Sequence, residues 1–124
     1  MAYYALQASY TQVGWAALVA APEDRLEAVR PVVERLGGVV VSGWFSFGEH
    51  DLLIICQMPD GVSAAALSIA VSAGGAVKTA KTTPLLTFDE GLEALHKAKG
   101  AKYEPPATEI PYFGTFRAPG DPSR

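Results

Sequence analysis

The sequence predicts an α+β domain in which a four-stranded antiparallel sheet carries two helices on one face. Three observations support this prediction. Two runs of sheet-forming residues surround a short polar segment at residues 48–51, which is typical of a β-hairpin. Two stretches with apolar residues at helical spacing each end in paired glycines, Gly37-Gly38 and Gly74-Gly75. An aromatic segment with alternating pattern opens the chain and favours a strand.

The elements follow one another as strand, helix, strand, strand, helix, strand and a terminal helix. We predict strand one at residues 3–10 and a break in regular structure at residues 11–15. A helix is expected from about Pro22, because proline suits the first helical turn and the acidic residues Glu23 and Asp24 favour the positive end of the helix dipole. The later predicted elements are strands at 39–47 and 52–56, a helix at 62–73, a strand at 76–86 and a short helix after a capping box at 87–90. This order is that of the split βαβ, or ferredoxin-like, architecture.

Composition bounds the class of protein. Of the 124 residues, 49% are apolar and 19% are charged, which is typical of a globular chain. The net charge of -3 and the dispersed basic residues argue against nucleic-acid binding, which depends on clustered phosphate contacts. No apolar run reaches the roughly 18 residues of a membrane span, and no secretory signal is visible. We therefore expect a cytoplasmic protein that binds neither nucleic acid nor membrane.

Metal-binding side chains are scarce in the sequence. The single cysteine, Cys56, and the two histidines, His50 and His96, cannot form a four-ligand cage without carboxylates. We expect Cys56 to be a buried, reduced thiol. The sequence therefore predicts neither a metal nor another cofactor.

The sheet face opposite the helices is predicted to be apolar. Strand alternation places Leu53, Ile55 and Trp44 on this side, with Val40 on the same side as Trp44. Full burial of such side chains contributes about 1.5–3 kcal/mol each, and a contiguous exposed apolar patch usually marks an interface. We expect a second copy of the chain to cover this face, giving a homodimer or a higher oligomer.

The composition changes near residue 99, so we divide the chain into a domain at 1–98 and a proline-rich arm at 99–124. The arm carries the apolar residues Tyr103, Ile110, Tyr112, Phe113 and Phe116. Disordered segments are usually poor in aromatic residues, so we predict an extended arm docked on its own subunit or on a neighbour. A flexible tail is the alternative.

Several short motifs in order resemble a known family, the GYD-domain proteins. They are the segment Thr-Gln-Val-Gly-Trp at 11–15, the helix at 25–29, Leu-Gly-Gly at 36–38 and Phe-Gly-Glu-His-Asp at 47–51. The likeness covers approximately residues 3 to 98. Gly48 and Asp51 match the family's Gly-x-Tyr-Asp signature, whereas His50 stands where a tyrosine is expected.

The resemblance implies a ferredoxin-like fold of the dimeric α/β-barrel type. It implies no established activity. Related barrel families include cofactor-free monooxygenases, isomerases, haem enzymes and amino-acid-sensing modules, so the fold does not choose among functions.

His50 is the candidate catalytic residue, because histidine titrates most easily near neutral pH. Its neighbour Asp51 could tune it, but adjacent residues of a regular strand point to opposite faces. The structural alternative is that Asp51 bonds loop amides, while His50 caps the hairpin or packs at an interface.

The candidate ligand-binding residues are Tyr10, Trp15, Trp44, His50 and Asp51. Tyr10 and Trp15 flank the first turn and are expected at the mouth of a cleft between sheet and helices, although aromatics there are more often core. The leading hypothesis is a homo-oligomeric small-molecule-binding or assembly domain. The alternative is a cofactor-independent monooxygenase or isomerase that uses His50 as acid or base. A haem-binding variant would need His50 or His96 as axial ligand.

Overall fold

A computed structural model describes residues 1–106 and, as backbone only, two short strands beyond them. The chain divides into two units, Met1–Thr87 and Phe88–Arg124, and each is described by itself. The elements of the first unit are β1 (Ala2–Tyr10), α1 (Gln12–Ala20), α2 (Arg25–Arg35), β2 (Val39–Phe45), β3 (Leu52–Met58), α3 (Gly61–Ala73) and β4 (Val77–Leu85). The second unit contains α4 (Phe88–Ala101) and the antiparallel pair β5 (Glu109–Ile110) and β6 (Gly114–Thr115).

The four strands of the first unit form an antiparallel sheet in the order β2-β3-β1-β4. This confirms the predicted ferredoxin-like sheet, with β1 and β3 in the centre. Pro84 lies near the end of the edge strand β4, as its missing amide donor predicts. Because β4 is an edge strand, the missing amide of Pro84 does not affect the hydrogen bonds between the central strands β1 and β3.

Alternation along the central strands separates the two faces of the sheet. On β1, Leu6, Ala8 and Tyr10 are buried on the helix side, and on β3 every second residue from Leu52 to Met58 is buried. The other members of this core are Val29, Val33, Val40, Ala64 and Leu67. Helices α2 and α3 therefore bury one face of the sheet.

The expected break at residues 11–15 is wrong, because this segment begins helix α1. Thr11 caps the helix: its Oγ1 atom accepts a hydrogen bond from the Gly14 amide at 3.0 Å. The Thr11 amide also donates to the Ala76 carbonyl at 2.9 Å, which fixes the helix start beside β4. Residues 12–20 are apolar on almost every side, so no amphipathic period marks this helix.

Helix α2 begins at Arg25 rather than at the predicted Pro22. The carboxylate of Asp24 caps it by accepting from the Leu26 amide at 3.0 Å. Helix α4, predicted to be short, extends over 14 residues. No helix of the described residues is both long enough and apolar enough to cross a membrane.

The predicted pairing of Val40 with Trp44 on one face is wrong. The register between β2 and β3 shifts between Val40 and Ser42, so that Val40 lies opposite Cys56 and Trp44 lies opposite Leu53. An extra residue in one strand reverses the alternation of all that follow. Val40 is therefore in the core, whereas Trp44 shares the open face with Leu53 and Ile55.

Most of the predicted arm lies outside the residues whose side chains the structure describes. Of its apolar cluster only Tyr103 is described, and this side chain is exposed. The docking of the arm and the domain boundary at residue 98 stay predictions.

Gly14 is expected to be essential for the close approach of α1 to Ala76, the residue before β4. A Cβ atom at this position would lie 2.5 Å from the Ala76 carbonyl oxygen. We expect Gly14→Ala to lower the free energy of unfolding by about 1–3 kcal/mol, because overpacking outweighs the better helix propensity of alanine. Urea unfolding followed by circular dichroism measures the change.

Gly61→Ala is the matched control in the same unit. Its Cβ atom would meet only the Tyr4 hydroxyl, at an ordinary distance of 3.9 Å. This variant is expected to be neutral or stabilised by at most about 1 kcal/mol. Equal losses in both variants would contradict the proposed clash.

Candidate functional site

A cleft opens between helices α2 and α3 at the edge of the sheet where β1 ends. Its volume is about 210 Å³. Tyr10, Leu52 and Val77 belong to three neighbouring strands and form its floor. The walls are Ala28, Val29 and Val32 of α2 and Ala70 and Val71 of α3, with Gly74 at the C-cap of α3 and Ala76 beside the floor. The cleft is therefore lined mainly by small aliphatic side chains.

Two residues with polar side chains, Tyr10 and Arg25, interrupt this apolar lining. Arg25 is the first residue of α2, and its Nη1 atom lies 2.6 Å from Oε1 of Glu23. The hydrogen bond to Glu23 raises the pKa of Arg25 above its usual value, while partial burial opposes this effect and the neighbouring Tyr10 hydroxyl adds to it. Arg25 thus carries a positive charge at the cleft.

A row of aromatic rings leads from the cleft toward the hairpin between β2 and β3. The rings of Tyr10 and Trp15 meet edge to face with centroids 5.0 Å apart. Trp15 stacks on Phe45 at 6.3 Å, and Phe45 stacks on Phe47 at 6.0 Å. Such pairs add to the stability gained from burial alone, so the row ties α1 to the edge strand β2.

The hairpin loop, residues 46–51, is bonded to the end of β1. An Oδ2 atom of Asp51 accepts from the Tyr10 amide at 2.9 Å, and the Asp51 amide donates to the Ala8 carbonyl at 2.9 Å. The Ser9 hydroxyl donates to the Glu49 carbonyl at 3.1 Å. These bonds continue the pairing of β1 and β3 beyond the regular ladder and hold Tyr10 in place.

One of three comparisons with known proteins found a match. The model of the GYD domain family matches residues 4–95. The chain belongs to the GYD domain family. A search of curated proteins found no match, and a search of solved structures found none.

Of the predicted ligand-binding residues of this GYD domain, Tyr10 lines the cleft. Trp15 packs against Tyr10 but lines a neighbouring groove with Leu18, Val19 and Phe45. Trp44 borders another groove at the edge of the sheet, together with Glu23 and Asp24. The structure therefore distributes these three aromatics over three adjoining surfaces.

His50 and Asp51 are not among the residues that line these three surfaces. The Asp51 carboxylate accepts from one main-chain amide, that of Tyr10 at the end of β1, rather than from the loop amides of the structural alternative. The His50 ring is half-buried, and its Nδ1 atom is buried with no hydrogen-bond partner among the described residues. Its carbonyl accepts from the Ser46 hydroxyl, so the main chain of His50 helps to close the loop.

Arg25 is the site residue that sequence reasoning missed. Its place at the start of an amphipathic helix suggests an ordinary surface cation, and only the fold brings it beside Tyr10. The one sequence signal was its position next to the helix-capping Asp24.

The described residues contain no cluster of three or more metal-ligating side chains. Cys56 is buried in the core of the GYD domain, and burial raises the pKa of its thiol. A protonated, inaccessible thiol has little nucleophilic character. Cys56 therefore belongs to the core rather than to the cleft.

We expect the Asp51 carboxylate to be important for stability. Asp51→Ala leaves the partly buried Tyr10 amide without its acceptor, which should lower the free energy of unfolding by about 1–3 kcal/mol. The shift of the urea midpoint measures this loss.

Glu49→Gln is the control in the same loop, since the Glu49 side chain is exposed and only its carbonyl binds Ser9. Its effect should stay within about 0.5 kcal/mol. If Asp51→Ala were as stable as the control, the hydrogen bond from the Tyr10 amide would not contribute to the free energy of unfolding.

Proposed function

We propose that this GYD domain is a self-associating module that binds a small molecule in the cleft between α2 and α3. The observation that supports it most directly is the cleft itself: an apolar concavity with a few convergent polar groups is the usual form of a ligand site. The two polar groups belong to Tyr10 and Arg25. Both are held by other residues, Tyr10 by Asp51 and Arg25 by Glu23, so the site is preformed.

Self-association is supported by the open face of the sheet. Trp44 is 62% exposed there, beside the partly exposed Leu53 and Ile55. By register, Lys81 and polar residues such as Gln7 and Gln57 surround these apolar side chains on the face. An exposed apolar patch within a polar rim usually marks an interaction surface.

The size of the open face agrees with a second copy as its occupant. Four strands of about seven residues span roughly 19 Å by 24 Å. A flat face of these dimensions has an area of about 450 Å² per copy. Two such faces approach the roughly 1,000 Å² that a specific interface exceeds. A two-fold axis would also place the same apolar residues on both sides of the contact.

The alternative of a cofactor-independent enzyme rests on the buried, unpartnered Nδ1 atom of His50. A general acid or base must reach the substrate within hydrogen-bond distance. His50 does not line the cleft, and Tyr10 and Arg25 are the groups that a ligand there would meet. The geometry therefore favours binding over proton transfer by His50.

A substitution that fills the cleft should abolish ligand binding. Ala70→Trp places an indole at the wall of the cleft, whereas Ala65→Trp places the same group on an exposed position of α3 outside it. In a fragment screen by ligand-observed NMR, hits of the wild type should lose binding in the first variant and keep it in the second. Hits that bind all three proteins equally would contradict the cleft as the site.

A charge on the open face should prevent self-association. Trp44→Glu introduces a carboxylate into the proposed interface, and Val19→Glu introduces the same change at an exposed apolar position of α1. Light scattering coupled to size exclusion at micromolar concentration should give an oligomer for the wild type and Val19→Glu and a monomer for Trp44→Glu. A monomeric wild type would rule out the self-associating module.

A further inference from the structure

We infer that the ligand of the cleft is a small monocarboxylate with an aromatic or branched aliphatic body, whose carboxylate meets Arg25 and Tyr10. This inference rests on the proposed binding function and names its ligand class. It follows from three properties of the site: the volume of the cleft, the chemistry of its lining and the position of Glu23 relative to Arg25.

The volume limits the ligand to a few heavy atoms. The cleft measures about 210 Å³. Sites for drug-sized ligands occupy about 300–1,000 Å³, whereas a dry cavity of about 150 Å³ holds one benzene molecule. The cleft thus fits one six-carbon ring, or a branched chain of similar size, together with a carboxylate.

The lining selects an apolar body. Valine and alanine side chains of α2 and α3 face each other across the cleft, and Leu52 and Val77 lie beneath them. These groups offer no hydrogen bonds, so a polar body such as a sugar would lose its hydration without compensation. An apolar body gains free energy from the same burial.

The charge at the cleft selects an anionic head group. Arg25 is the single charged residue of the lining, and no carboxylate of the described residues lines the cleft. Glu23 borders the two neighbouring grooves and not this cleft, whereas Arg25 lines both the cleft and the groove that it shares with Glu23. Glu23 thus pairs with the guanidinium outside the cleft. The bond to Glu23 uses Nη1, and the planar fork keeps further donors for a second acceptor.

A carboxylate fits this arrangement better than a phosphate. One guanidinium that already pairs with Glu23 cannot neutralise a dianion, and no lysine lines the cleft. The amide at the start of α2 that could bind a phosphate already pairs with Asp24. A carboxylate needs only two aligned donors, which the Arg25 fork and the Tyr10 hydroxyl provide.

Sodium benzoate and benzyl alcohol are suitable probes, because they share a ring and differ in charge. We expect benzoate to bind the wild-type protein at least about tenfold more tightly than benzyl alcohol in NMR titrations, as a charge-assisted hydrogen bond supplies about that factor. Arg25→Gln should lower the affinity for benzoate by the same factor and change the affinity for benzyl alcohol by no more than about twofold. Arg25→Lys keeps the positive charge but lacks the planar guanidinium, so its affinity for benzoate should lie between those of the wild type and Arg25→Gln.

Arg30→Gln is the matched control. Arg30 lies on the same helix, pairs with Glu27 at 3.2 Å and does not line the cleft. Its removal should leave both probes unchanged, and circular dichroism verifies the fold of each variant.

The failures of the two proposals are distinguishable. If benzyl alcohol binds as tightly as benzoate, or if Arg25→Gln leaves benzoate unchanged while Ala70→Trp abolishes it, the cleft remains a site and the carboxylate class is wrong. If neither probe binds the wild type, or if both bind Ala70→Trp unchanged, the cleft itself is not the site and both proposals fall. The comparison of the two probes on the wild type is decisive even if a variant does not fold.

Discussion

The hydrogen bond from the Tyr10 amide to the Asp51 carboxylate is the contact on which the cleft depends. Tyr10 is the last residue of β1, where regular pairing with β3 has already ended. A strand end without an acceptor for its amide would fray into solvent. The carboxylate supplies that acceptor, and it keeps Tyr10, a residue that is 5% exposed, on the floor of the cleft.

The position of Tyr10 then determines what surrounds it. The next residue, Thr11, caps α1 and bonds the main chain just before β4, so the chain turns away from the sheet at once. This turn brings Trp15 against the Tyr10 ring from one side. Arg25, at the start of the following helix, approaches the hydroxyl from another. Tyr10, Trp15 and Arg25 of the site therefore come from one segment of 16 residues, while the hairpin contributes the Asp51 carboxylate.

The regular part of the fold was predictable because its signals are local. Gly37-Gly38 after an amphipathic stretch and the alternating β3 residues point to a single interpretation. Helix α1 was missed because its residues are apolar all round, which removes the period that identifies a helix. The extra residue in β2 gives no local signal either, and it moved Val40 from the predicted open face to the core.

The site was less predictable than the fold, since it depends on contacts between distant residues. Tyr10 was predicted at the mouth of a cleft from a local feature, an aromatic residue at a strand end beside a turn, and it lines the cleft between α2 and α3. Arg25 could not be predicted as a lining residue, because 14 intervening residues and an unpredicted helix separate it from Tyr10. Asp51 was singled out for its charge, and in the structure its carboxylate bonds a main-chain amide. Adjacent charged residues in a hairpin are thus weak evidence for chemistry until the strand end they face is known.

The same strand end connects the two surfaces that we assign to binding and to association. Ser9 belongs to the open face, and its hydroxyl bonds the hairpin loop at Glu49, while Tyr10 belongs to the cleft and bonds the loop at Asp51. Because adjacent strand residues point to opposite faces, one rigid loop fixes both. Ser9 is only 4% exposed, so this end of the open face is already covered within the single chain. The two proposed surfaces therefore meet at two neighbouring residues of β1, which the same loop bonds.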